Sequence, residues 1–351
     1  MIHIKKSNSY LKDFTKELFE YLESFLNEII NTKRLLGPIN KVKSNHTKNK
    51  DINVYSLHDD GIDRYQKILF RISTNEISFF KKTREYLEFI LKANSITLRR
   101  VIKKLYKKKH QLLDINSNIS KIIKYIFVDK GYLYKISKMN EKKIAYKLVK
   151  ELDIKTCPYC NRSYISFVKN EEKQTRPQLD HFYPKSIYPF LACSFYNLIP
   201  SCSACNHMKS DDDSYKDEIS GKLINPYNVK DDDFRFSYTL NDLKITEITA
   251  KKDIAFDYES SIKVLINTKY HKNMEYFQLE EIYQNHQDIV IELILKEINY
   301  PKSYVKELQG FDFSQDEIYR YLFANYSKEE DLHRRPLSKL IKDISEELEL
   351  I

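Results

Sequence analysis

A mainly α-helical chain with a small α+β core embedded in its middle is the fold class the sequence predicts, and three observations lead to it. Long stretches before residue 152 and after residue 276 carry apolar residues at helical spacing. All five cysteines fall between residues 156 and 210, among several prolines and short strand-like pieces such as SYISFV. Only 5 glycines in 351 residues, with 42% hydrophobic and 31% charged side chains, suit a helical protein with a sizeable core.

The elements follow in order. Residues 10–36 place Leu11, Phe14, Leu18, Leu22, Phe25, Leu26, Ile29 and Ile30 on one helical stripe, and Gly37-Pro38 stops it. The stretch NKVKSNHTKNKD (40–51) reads as a polar loop, and a second helix is expected from about Asp63 to Lys92. A third, SITLRRVIKKLYKKKH, sets Leu98, Val101, Ile102 and Leu105 against Arg99, Arg100, Lys103, Lys104, Lys107 and Lys108. Such a basic amphipathic helix suits nucleic-acid phosphates, a membrane surface or a partner protein. Beyond the cysteines come an acidic loop (Asp211, Asp212, Asp213, Asp217, Glu218) and two alternating segments, FRFSYTL and KITEIT, that read as strands. From Tyr276 the chain is helical again; Ser314 and Glu317 form a capping-box pattern, and Pro336 is placed to open the last helix. Three regions result: a basic helical one (1–150), a cysteine-rich core (151–215), and a mixed, then helical, C-terminal region (216–351).

Charge divides along the same line. Residues 1–150 hold 33 Lys and Arg against 15 Asp and Glu, the remainder 26 against 35, within a net charge of +9. A basic half joined to an acidic half points the first half towards a polyanion. The opening MIHIKKSNSY lacks the apolar run of a signal peptide, and no stretch approaches the roughly 18 apolar residues of a membrane span, so the cytoplasm is the expected location and no membrane partner is expected.

Cys157-Pro-Tyr-Cys160 and Cys202-Ser-Ala-Cys205 are two CxxC knuckles with 41 residues between them. Together they offer the four thiolates of a closed structural Zn2+ site; a thioredoxin-like motif needs only one CxxC, and disulfides do not suit a reducing compartment. The gap exceeds the 15–20 residues of compact zinc ribbons, so a separate piece must fold inside the zinc loop. Cys193 is left over, and a buried small hydrophobe is its expected role.

Inside the loop stand Asp180-His181 in LDHFYPKS, then Asn197 and Asn206 in SFYNLIPSCSACNHMKSD. In this order, against CPYCNRSYI, the residues resemble the HNH endonuclease superfamily, the ββα-metal nucleases, over roughly 55 residues. The resemblance implies a β-hairpin and helix clasping one divalent metal beside a four-cysteine structural zinc, and it implies a phosphodiesterase. His181 would be the general base, since neutral imidazole takes a proton near pH 7. Asp180, pointing away from His181 on an extended strand end, would ligate Mg2+ or Mn2+. Asn197 would tie the loop and orient the histidine. Asn206, where many members carry a final histidine, would be the second ligand, an amide oxygen suited to a hard ion; His207 is the neighbouring alternative. Lys185 and Lys209 are placed as phosphate contacts, alongside Arg99, Arg100, Lys103 and Lys104.

Within the superfamily, CPYC…LDHFYPKS…SFYNLIPSCSACN is similar to a bacterial group of anti-phage defence that includes the nuclease subunit of Septu-type systems, which commonly works beside a separate ATPase. The chain has no GxxxxGK[ST] loop of its own, so nucleotide sensing would fall to such a partner. The polar tail EEDLHRRPLSKLIKDISEEL suits docking it, or covering the basic arm. The expectation is therefore a metal-dependent endonuclease, with DNA favoured over RNA. A ribonuclease of the same mechanism and a non-catalytic zinc scaffold that binds nucleic acid are the alternatives. A homo-oligomer is compatible with all of this.

Overall fold

The computed structural model describes residues 1–5, 8–36, 40–41, 54–59, 62–137, 144–165, 167–169, 174–240, 262–299 and 302–350. They form two compact units. One, the helical unit, comprises Ser9–Ile144 and Lys185–Phe195; the other, the knuckle unit, comprises Met1–Asn8, Ala145–Pro184 and Tyr196–Ile351. Helices predominate in both, with small antiparallel sheets.

The helical unit begins with α1 (Asn8–Thr32). Its predicted stripe is its buried face: Phe14, Leu18, Leu22, Leu26 and Ile29 are at most 1% exposed, each stabilising by about 1.5–3 kcal/mol through apolar burial. Four strands follow, β1 (Arg34–Leu36), β2 (Asn40–Lys41), β3 (Val54–Asp59) and β4 (Ile62–Arg71), with β4 antiparallel to the other three. Here the sequence reading was wrong. The helix expected from Asp63 starts at Thr74, as α2 (Thr74–Lys92), because the Glu76 carboxylate accepts from the Ser73 amide and hydroxyl and fixes the N-terminus there. Residues before Ser73 pair instead with β1, Phe70 opposite Leu35. Of the expected 40–51 loop, Asn40 and Lys41 are strand and the rest lies outside the described residues. Asn94 caps α3 (Ser95–Lys107), accepting from Thr97 N at 2.9 Å, and α4 (Asn118–Ile123) runs on into a wider helical segment, Lys124–Ser137. Segment 185–195 packs on this framework: Phe195 meets Phe14 edge-on at 5.2 Å, and buried Cys193 donates to Phe127 O. Gly131 makes room for that thiol, since a Cβ there would lie 2.5 Å from the Cys193 sulfur.

The knuckle unit holds α5 (Ile144–Leu152), two short pairs β5 (Val168–Lys169) with β6 (Gln174–Thr175) and β7 (Gln178–His181) with β8 (Leu198–Ser201), then α6 (Ser203–Lys209) and α7 (Ser214–Ile219). The expected acidic loop is thus partly helical, with Glu218 buried against the Tyr183 hydroxyl. FRFSYTL supplies β9 (Arg235–Leu240), paired with β10 (Ile262–Asn267); KITEIT lies outside the described residues. The rest is helical: α8 (His271–Tyr276), α9 (Leu279–Gln284), α10 (Gln287–Asn299), α11 (Lys302–Gln309), α12 (Gln315–Phe323) and α13 (Ser338–Glu347). Ser314 caps α12 with Glu317. Pro336 stands two residues ahead of α13, and left-handed Leu337 (φ 61°) turns the chain into it.

Asn161 joins the C-terminal region to the first cysteine knuckle. It is fully buried with φ 48°, a conformation Asn tolerates better than most residues. Its Nδ2 donates to Thr156 Oγ1 and Leu332 O, and its Oδ1 accepts from Ser338 Oγ and Lys339 N. Replacing Asn161 with Ala strands several buried polar groups and removes the side-chain amide that helps Asn tolerate positive φ. The expected cost is about 2–4 kcal/mol, read as a lower urea midpoint with an unchanged m-value; an unshifted midpoint would contradict this role.

Candidate metal centre and strand–helix site

The Sγ atoms of Cys157, Cys160, Cys202 and Cys205 all lie within 4.8 Å of one another. Two local structures bring them there. Cys157 N donates to Ser163 O and Asn161 N to Cys157 O, curling the first knuckle. Cys202 is the N-cap of α6, so the helix itself carries Cys205 back over the cluster. Zn2+ with sulfur ligands at about 2.3 Å sets edges of about 3.8 Å, so a small contraction closes the set. Backbone amides already point at sulfur, Arg162 N at Cys160 and Cys205 N at Cys202. The four thiols contend for protons. Hydrogen bonds from Cys157 pull Cys160 down and Cys202 down to about 7, burial pushes Cys157 up, and the Cys157 contact pushes Cys205 up. A dication relieves that competition by replacing the protons. The cluster can therefore bind a structural metal such as zinc.

Beside it, β7 runs antiparallel to β8, with Asp180 opposite Ile199 and His181 opposite Leu198, and α6 follows β8 directly. The strand's twofold alternation puts Gln178 and Asp180 on one face. α6 lies against that face through two residues of one helical side: Asn206 Nδ2 donates to Gln178 Oε1 at 2.6 Å, and Lys209 Nζ sits 3.2 Å from Asp180 Oδ1. The same ammonium donates to His181 O at 2.8 Å. Tyr159, inside the first knuckle, donates to Asp180 Oδ2 at 2.6 Å and stacks on Phe277 at 4.1 Å. Burial, reinforced by Asp180, pushes the Tyr159 phenol well up, so it stays a donor. Asn197 is fully buried and ties the turn after His181: its Oδ1 accepts from Tyr183 N, its Nδ2 donates to Tyr183 O, and its carbonyl accepts from Phe182 N.

Asp180, His181, Asn197 and Asn206 thus share one strand–turn–helix piece. Asp180 and His181 are buried, at 3% and 5% exposure, whereas Asn206 and exposed His207 line an open pocket of about 550 Å3 with Gln178, Ser203, Ala204 and Ser210. The Asp180 carboxylate and the Asn206 amide oxygen are hard donors whose chemistry fits Mg2+ or Mn2+.

Lys209 is a correction. Expected as an exposed phosphate contact, it is 1% exposed, because its ammonium is the counter-charge of a carboxylate that would otherwise be buried alone. Lys185 belongs to the helical unit, half-exposed, with Nζ 5.9 Å from the Tyr132 ring. So does α3, where Leu98 and Ile102 are buried, Arg99 is half-buried, and Arg100, Lys103 and Lys104 are exposed. Sequence reasoning missed Tyr159 and Gln178. Gln178 was findable, two residues before Asp180 on a strand; nothing in the spacing marks Tyr159.

Over 76 residues the chain is 36% identical to Septu protein PtuB of Bacillus thuringiensis; the match covers 22% of this chain and 26% of that protein, about a quarter of its length. No protein-family model matches the chain, and no solved structure matches it. Among the described residues no helix is long and apolar enough to cross a membrane.

If the four cysteines hold zinc, purified protein carries close to one zinc per chain by elemental analysis. A Cys157→Ser/Cys202→Ser variant, with one thiolate gone from each knuckle, then loses it along with cooperative unfolding. Full zinc content in that variant would place the ion elsewhere.

Proposed function

We propose that the chain is a metal-dependent HNH-type endonuclease that hydrolyses phosphodiester bonds, most readily in DNA, as part of anti-phage defence, with a separate ATPase as its working partner. The observation that carries the reading is the buried Asp180–His181 pair at the end of β7, braced on one face by α6 and by Tyr159 of the cysteine knuckle. The partial similarity to PtuB supports the defence context and the expectation of a partner.

In this mechanism His181, as neutral imidazole, takes the proton of the attacking water. Asn197 holds the turn after it, so the imidazole's backbone cannot drift while the proton moves. Asp180 and Asn206 would hold a hard divalent ion, which when bound would supply counter-charge for the extra negative charge of the transition state. Tyr159 keeps Asp180 aimed. The exposed bases of α3 bind phosphates without reading sequence: Arg100, Lys103, Lys104 and Lys107 stand clear of α3's buried side, and α3 has no acidic residue in its first turn.

The test is cleavage of plasmid DNA and of total RNA with Mg2+ or Mn2+. DNA cutting is expected to fall by about 10²–10⁴ in His181→Ala, in protein that keeps its zinc and its circular dichroism. Cutting that survives the substitution would refute the assignment. Separately, Arg100, Lys103, Lys104 and Lys107 changed together to Gln should flatten the slope of log affinity for DNA against log salt by about 3–4, at roughly 0.9 per contact. An unchanged slope would remove α3 from the interface.

A further inference from the structure

We infer that Lys209 is the resident counter-cation of Asp180 and sets how tightly the site holds its divalent ion, a role that rests on the metal-nuclease reading above.

A carboxylate at 3% exposure needs a partner charge, and the chain supplies one from within. Lys209 is itself 1% exposed, so its ammonium has no route to water while α6 lies on β7. A second contact holds it there besides the ion pair. Lys209 donates to His181 O at 2.8 Å, a contact with the backbone separate from the carboxylate. It is also the last residue of α6, which ends at Ser210 with φ 48°.

The consequence is electrostatic. Asp180 already commits one oxygen to the Tyr159 hydroxyl and the other to the ammonium. A dication approaching that carboxylate meets a positive charge a few ångströms away in a low-dielectric setting, and the repulsion weakens its binding. The ion must share the carboxylate or turn the ammonium off it. The four-carbon stem of lysine and its three donors permit the second course, with Nζ staying on His181 O. Lys209 thereby does two things. It keeps the β7–α6 seam closed when the ion is away, and it makes occupancy depend on free divalent ion at higher concentration than the oxygen donors alone would need.

The experiment is Mn2+ titration of zinc-loaded protein, followed by the electron paramagnetic resonance of free Mn2+, for the unaltered chain, Lys209→Met, Lys209→Gln and Asp180→Asn. Lys209→Gln keeps a donor for His181 O and carries the test where the Met variant does not fold. The expected result is Mn2+ binding about tenfold tighter or more in the folded Lys209 variants, a larger rise of their melting temperature with Mn2+, and weaker binding in Asp180→Asn. Equal or weaker binding in folded Lys209 variants, with unaltered protein that binds Mn2+ and cuts DNA, would overturn the role of Lys209 alone. Failure of every form to bind Mn2+ would overturn the metal-nuclease reading and this inference together.

Discussion

Four thiols drawn to one point from opposite ends of a 41-residue stretch are the constraint on which the site depends. Each knuckle carries a working part of its neighbour. Tyr159, between Cys157 and Cys160, grips the Asp180 carboxylate. Cys202 caps α6, so the direction of that helix, and with it Asn206 and Lys209, follows from where the cluster lies. A short β7–β8 pair, Gln178–His181 against Leu198–Ser201, is marginal by itself. It is pinned from one side by the first knuckle and from another by the helix that the second knuckle starts.

Solvation separates polar groups that fix the fold from those that open on solvent. Asn161 and Asn197 are buried and satisfied, which makes each costly to disturb and each a fixed reference for its neighbours. Asn206 and His207, by contrast, open on a solvent-accessible pocket. Lys339 and Lys342 are tied to Asp231 in the knuckle unit, while Arg100, Lys103 and Lys104 of α3 project into solvent. A cation that stands in solvent can neutralise phosphate.

Much of this was legible in the sequence where one residue type has one physical job. Two CxxC pairs predicted a thiol cluster, the α1 stripe predicted its buried face, and Ser314 with Glu317 marked the start of α12. The reading failed where tertiary context decides. Nothing in LFRISTNE says that Phe70 will pair with Leu35, although the Ser73–Glu76 box shows where the helix must begin. Lys209 looked exposed because lysine usually is; only the folded chain shows a buried carboxylate that requires it. Tyr159 was invisible for the same reason, since its partner is 21 residues away.

Hydrogen exchange with zinc present and after its removal by chelator is the measurement that tests the central claim most directly. Amides of β7, β8 and α6 should lose protection together when zinc leaves, while those of α1 keep theirs. Undiminished protection across residues 178–209 in zinc-free protein would show that the strand–helix site stands without the cysteine cluster, and would contradict it.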